Sequence, residues 1–473
     1  MRLSRAERGP DSPACADGRI PRQQDLASAQ YDQPDDGGIG PPRRRAVSAR
    51  DRLEHALERI GDPSGEGERT FLTLYADTAR EAADAAELRA RDGATLGPLD
   101  GAIVGIKDLF DVAGEPTRAG SKTLADAPPA AQDAPVVRLL REAGAIIVGK
   151  TNMSEFAFTG VGANPHFGTP GNPADPQRVP GGSSSGAAVS VADAMCEISI
   201  GTDTGGSTRI PAALCGVVGY KPTKARVSTE GAFPLSPTLD SVGPLARTVA
   251  DCAKADGILA GDQPWVLEPA ALGGLRLGIP RGFPLQDMDA TVTDLFQATV
   301  RQLAQARVRL SEMQFRIFDD MARVQSVATI ATVEAWRIHR ECIAERGDDY
   351  DPIVRARIET GSVVSDADYA LMLEERSALV EAMDSALGDV DGLLLPTTPI
   401  VAPTMAEVST NEGFNRANRL LLRNTAIANF FDLCAISLPM PGEGLPAGLM
   451  LFARRGQDLR LFEIASAVER LLA

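Results

Sequence analysis

At 473 residues the chain is several times a modal domain of roughly 100 to 150 residues, so it holds either a few small domains or one large α/β body. Hydrophobic residues at 44% and charged residues at 24% stand near globular averages, and no apolar run approaches the roughly 18 residues of a membrane span, which argues against a membrane partner. Lys and Arg number 48 against 64 Asp and Glu, a net charge of −16, which disfavours nucleic acid because its phosphate backbone is bound by cationic side chains.

Residues 1–46 are rich in Pro, Gly, Asp and Arg, close with Pro41-Pro42-Arg43-Arg44-Arg45, and carry neither helical nor strand period, so a disordered tail is expected there. Arg2 and Arg5 are followed by no apolar stretch of signal-peptide type, and a cytoplasmic protein is expected. From Ser48 the positions Leu53, Ala56, Leu57 and Ile60 recur at helical spacing behind a capping serine, and a second helix is expected over about 71–92. The first strand is expected at 102–106, followed by an amphipathic helix over 136–143 and a β-branched strand at 145–148, an alternation that predicts α/β layering around a mixed sheet. Composition shifts near 261–271, where Pro264 and Pro269 precede Gly273-Gly274 and a strand at 275–280. Between about 285 and 390 the period is mostly helical, and strands return at 392–396 and 447–451.

The six cysteines lie far apart with no C-x-x-C, and the three histidines, His55, His166 and His339, stand at no ligand spacing, so no metal site is expected and a reducing compartment fits best. So few histidines also leave a His-based hydrolase poorly supplied. The segment Gly144 to Thr151 (Gly-Ala-Ile-Ile-Val-Gly-Lys-Thr) matches the P-loop pattern letter for letter. A P-loop follows a strand and opens a helix, whereas here a helix precedes and the four variable residues read as a buried strand, so phosphate binding is not expected.

The densest chemical signal is Gly181-Gly182-Ser183-Ser184-Ser185-Gly186, followed by Gly201-Thr202-Asp203-Thr204-Gly205-Gly206-Ser207-Thr208-Arg209-Ile210-Pro211. It reads as Ser-rich loop, helix, strand, Gly-rich turn and helix. At the second turn the amides of Thr204, Gly205, Gly206 and Ser207 can converge on one anionic oxygen, with the Ser207 hydroxyl beside them, as acyl transfer requires of its nucleophile. A serine needs a base, and Lys107 ends the apolar run Ile103-Val104-Gly105-Ile106; the run leaves open whether the lysine is buried as a neutral amine or reaches solvent.

Together these residues resemble the amidase signature family. The stretch 181–222 follows its Gly-Ser-rich signature nearly residue for residue, and similarity runs from about Ser48 to the C-terminus through Gly149 to Phe156, Cys215 to Thr223 and Leu239 to Leu245. The resemblance implies an α/β amidase-signature fold, a central mixed β-sheet covered by helices on both faces, forming one domain over 47–473 with about 265–390 a mostly helical variable insertion. It implies a Ser/Ser/Lys triad with Ser207 as nucleophile, Ser183 as bridging serine after a cis peptide bond and Lys107 as base. Ser184, Asp203 and Arg209 match supporting positions, and Phe156 and Ala157 are candidates for the acyl pocket, while Trp336 and Phe430-Phe431 read as core. The expected activity is hydrolysis of a small-molecule amide without metal or organic cofactor. The alternative from the same family is the glutaminase-type component of a tRNA-dependent amidotransferase, which would need partner chains. Met450 stands where many members carry glutamine, which leans toward a stand-alone enzyme. The assembly state, a homodimer included, is left open.

Overall fold

Short aliphatic and β-branched runs bounded by glycine and proline pair into one eleven-stranded mixed sheet. The structure is a computed structural model and describes residues 47–473; the tail expected over 1–46 lies outside the described residues. In chain order the strands are β1 (Phe71–Leu74), β2 (Ile103–Lys107), β3 (Ile146–Thr151), β4 (Ile198–Asp203), β5 (Val218–Lys221), β6 (Ser241–Ala246), β7 (Arg276–Pro280), β8 (Arg309–Met313), β9 (Gly392–Pro396), β10 (Cys434–Pro439) and β11 (Gly448–Ala453). Their spatial order is β1-β3-β2-β4-β6-β5-β10-β11-β9-β7-β8, with helices packed against the sheet.

The part that positions the site is the parallel trio β3, β2 and β4. In such sheets the crevice lies beyond the carboxyl ends of the strands, and Lys107 and Asp203 are the last residues of β2 and β4. Both strands are buried along their whole length, which is why they read as unbroken apolar runs rather than alternating ones. β6 then runs antiparallel to β4 with Ser241 opposite Asp203, which brings the residue before it, Asp240, to the same end.

One expected element needs correction. The helix foreseen over 71–92 is a strand, β1, followed by the helix Ala76–Arg91, so β1 and not β2 is the first strand. Phe71-Leu72-Thr73-Leu74 gains its strand geometry by pairing antiparallel with the open edge of β3, Phe71 opposite Thr151, so tertiary pairing decides the conformation of a segment too short to show a period. The segment 285–390 carries long helices, Ala290–Gln305, Ile330–Arg346 and Asp366–Ala386, and contributes the half-exposed edge strand β8, whose Arg309-Leu310-Ser311-Glu312-Met313 has no apolar run to announce it. No helix among the described residues is long and apolar enough to cross a membrane.

Candidate active site

Ile103–Lys107 delivers its terminal lysine into the protein interior, where Lys107 is completely buried. Its Nζ lies 2.8 Å from Ser183 Oγ and 2.9 Å from Thr202 Oγ1. Burial drives the Lys107 pKa down from 10.5 to about 7, against the upward pull of Asp203 and Asp240. The solvent-reaching alternative that the sequence left open is thereby settled in favour of a buried amine. A neutral amine carries a lone pair and can take a proton from a hydroxyl, which is the chemical capacity of this position.

Ser183 stands at the start of a buried loop and follows a cis Gly182–Ser183 peptide bond. Two backbone bonds fix the loop between its neighbours: Gly182 N donates to Gly160 O at 2.9 Å, and Ser154 N donates to Ser183 O at 3.0 Å. The helix Ser185–Ala192 continues from it, buried from Ser185 through Val191.

The second loop connects β4 to the helix Arg209–Cys215. Ser184 N donates to Ser207 O at 3.3 Å, so the two serine loops are joined backbone to backbone. Ser184 Oγ also reaches Thr202 O at 3.4 Å. Gly206 has φ +137°, and a Cβ there would lie 2.2 Å from Thr425 Oγ1, so only glycine fits this turn. Thr425 in turn donates to Gly205 O at 2.6 Å and holds the carbonyls outward. Among the described residues the amides of Gly205, Gly206 and Ser207 donate to no protein acceptor. Ser207 is 4% exposed.

Asp203 and Arg209 form a wholly buried ion pair that staples the ends of this loop. Arg209 Nη2 donates to Asp203 Oδ1 at 2.8 Å and Nε to Oδ2 at 3.0 Å, while Asp203 also accepts from Thr208 N, Thr208 Oγ1 and Asn429 Nδ2. Burial alone would raise the Asp203 pKa; the Arg209 guanidinium and these hydrogen bonds outweigh it and hold the carboxyl well below its ordinary range. Arg209 is further satisfied by Thr425 O, Asn429 Oδ1 and Met450 Sδ, the last at 3.2 Å. Removing one partner of such a pair strands the other charge without water, so Asp203→Ala should lower the unfolding free energy by about 3 to 5 kcal/mol. Denaturant titration checks this, and a loss under about 1 kcal/mol would show that the pair is not a staple.

Phe156 and Ala157 form a turn with φ +50° and +60°, next to the Ser183 loop through Ser154. The Phe156 ring packs against Phe233, His339 and Tyr350 at centroid distances of 5.1, 4.4 and 5.3 Å. Glu155 anchors the turn: it accepts from Ser121 Oγ at 2.6 Å and Asp351 N at 2.7 Å, and bonds His166 Nε2 at 2.8 Å. Phe430 and Phe431 are core, and Trp336 is partly buried against it. The P-loop look-alike is a buried strand, with Lys150 Nζ 3.9 Å from Glu115.

Sequence reasoning missed Thr202, Thr425, Asn429 and Asp240. Thr202 could have been found from strand register, since the parallel pairing of β2 and β4 brings it level with the end of β2. Thr425 and Asn429 lie some 220 residues from the turn they hold, on the helix Asn411–Phe430, and no local signal marks them.

Comparison with known proteins agrees with this geometry. The family model Amidase matches residues 54–462. The chain is 37% identical to 2-amino-5-chloromuconic acid deaminase of Comamonas testosteroni, over 85% of this chain and 88% of that protein. It is also 37% identical to the GatA-type component of the glutamyl-tRNA(Gln) amidotransferase of Anaeromyxobacter dehalogenans, over 90% and 94%. Among solved structures, an amidase superposes with a TM-score of 0.81 at 35% identity, over 90% of this chain and 96% of that one. The peptide amidase of Stenotrophomonas maltophilia gives 0.75 at 27% identity, over 90% and 94%. With fold, signature and family match in agreement, the chain belongs to the Amidase family of hydrolases acting on carbon–nitrogen amide bonds.

Proposed function

We propose that the enzyme hydrolyses a small carboxylic amide to carboxylate and ammonia or amine through an acyl-enzyme on Ser207. The observation that carries this is the 2.8 Å contact between Lys107 Nζ and Ser183 Oγ, made by a fully buried lysine one backbone bond away from the Ser207 turn. In the proposed sequence Ser207 Oγ attacks the amide carbon, its proton passes to Ser183 Oγ, and the Ser183 proton passes to neutral Lys107 Nζ. The oxyanion accepts from the amides of Thr204, Gly205, Gly206 and Ser207. As the intermediate collapses, the Lys107 ammonium returns a proton through Ser183 to the leaving nitrogen, and water entering along the same relay cleaves the ester. Ser184, Asp203 and Arg209 hold the two loops in register, and Phe156 and Ala157 form a wall of the acyl pocket through the Ser154–Ser183 contact. Free Cys196, Cys215, Cys252, Cys342 and Cys434 fit a reducing compartment, and we place the enzyme in the cytoplasm.

The similarity to this amidotransferase component supports a second reading, glutamine hydrolysis within a complex. We favour the stand-alone enzyme because the proposed triad needs no other chain, and Met450, packed on Arg209, stands where many family members carry glutamine. Purified full-length protein should release ammonia or amine from at least one member of a panel of aliphatic, aryl and amino-acid amides without metal, ATP or a second protein. Turnover of glutamine alone, and only once a partner protein is added, would favour the amidotransferase reading.

A further inference from the structure

The turn 235–240 lies between two buried carboxylates, and each grips it from a different side. On one side Asp240 Oδ2 accepts from the amides of Leu235 and Ser236, both at 3.0 Å, while its Oδ1 accepts from Thr204 Oγ1 at 2.5 Å. Thr204 opens the turn that carries the proposed oxyanion amides. On the other side stands Glu334, on the helix Ile330–Arg346 and 5% exposed. Its Oε2 accepts from Ser236 Oγ and, at 3.1 Å, from Thr238 N. Its Oε1 accepts from Thr238 Oγ1 and Tyr369 OH. Ser236 therefore bonds both acids at once, its amide to Asp240 and its hydroxyl to Glu334.

Four donors on one buried carboxylate fill nearly all its acceptor capacity, so the position of the 236–238 backbone follows that of Glu334. Asp240 then transmits that position to Thr204. Lys224 adds to the rigidity of the turn by donating to Pro237 O at 2.6 Å and Asp240 O at 3.0 Å. Amides stabilise an oxyanion only where they are aimed in advance, and a small misplacement forfeits much of the effect.

We propose that Glu334 is a positioning residue for the Thr204–Ser207 turn, acting through the 235–240 turn and Asp240. This rests on the reading of that turn as the oxyanion site. A helix about 130 residues away in sequence thus takes part in transition-state stabilisation without touching substrate.

The test is Glu334→Gln in the full chain, with 4-nitrophenyl acetate as substrate and rates divided by active sites titrated from the nitrophenol burst. The amide keeps one acceptor oxygen and turns an NH2 group toward two of the four donors, so the clamp is half lost while shape is kept. Benzaldehyde and benzyl alcohol are the paired inhibitors, because the aldehyde forms a tetrahedral adduct with an oxyanion and the alcohol does not. The expected result is a kcat lower by about 10- to 100-fold, below the 10² to 10³ of deleting one donor outright, with KM within about twofold. Benzaldehyde inhibition should weaken by the same factor and benzyl alcohol inhibition should not change. Ser236→Ala, which removes one of the four bonds, should show the same pattern at a few-fold, and it serves where the glutamine variant does not fold. Unchanged kcat per titrated site, or equal weakening of aldehyde and alcohol, would overturn the assignment. The underlying reading is tested separately by Ser207→Ala: if that variant still binds benzaldehyde as the wild type does, the oxyanion site itself is misplaced, whereas loss there with no effect of Glu334→Gln overturns the role of Glu334 alone.

Discussion

Lys107→Ala should cut amide hydrolysis by about 10² to 10⁴ more than it cuts hydrolysis of an ester with the same acyl group. The reason lies in the two tasks proposed for one nitrogen. Lys107 takes the nucleophile's proton through Ser183, 2.8 Å away, and later returns it to the departing nitrogen by the same route. An amide cannot expel an unprotonated amine at a useful rate, whereas an ester expels a phenoxide or alkoxide with far less help, so the second task falls mainly on amides. Comparing kcat/KM for matched amide and ester in both proteins reads the difference directly. Equal losses on the two would assign Lys107 a structural role.

The pH profile supplies an independent readout of the same residue. Burial lowers the Lys107 pKa from 10.5 to about 7, so the amine is neutral and able to accept a proton above about pH 7 and becomes an ammonium below it. The wild-type rate should therefore rise with pH through about 7 and then level, more than three units below the limb that an ordinary lysine would give. The alanine variant should lose that limb. A limb near 10.5 would mean that the lysine is solvated in the working enzyme.

Ser207→Ala should abolish amide and ester hydrolysis alike, by a factor on the order of 10⁶ in kcat, since removal of a nucleophile forfeits the whole covalent route. The fold should survive, because the bond that joins the serine loops uses the Ser207 carbonyl, which alanine retains. Thermal unfolding and activity measured on the same preparation check both parts. A loss of only a few-fold would move the nucleophile elsewhere.

What could be read in advance follows from how far each cause acts along the chain. The fully buried strands β2, β3 and β4 were legible as short aliphatic runs, and the Ser183 and Ser207 loops as glycine and serine clusters whose order and spacing carry a family signature. β1 was not legible, because Phe71 to Leu74 is a strand only by virtue of pairing with the edge of β3. Nor were Thr425, Asn429 and Glu334, which serve the site from distant helices through contacts spanning roughly 100 to 220 residues. The burial of Lys107 lay between these cases: the apolar run raised it, and only the packing of Thr202 and Ser183 around the amine decided it.

The central claim is that Ser207 becomes acylated, and the direct measurement is mass spectrometry of the enzyme quenched in acid within the first turnovers of 4-nitrophenyl acetate. The account predicts a mass gain of one acetyl group that peptide mapping assigns to Ser207, accumulating in the wild type and missing from Ser207→Ala. An adduct on another residue that turns over at the rate of the reaction, or full turnover by Ser207→Ala, would contradict it.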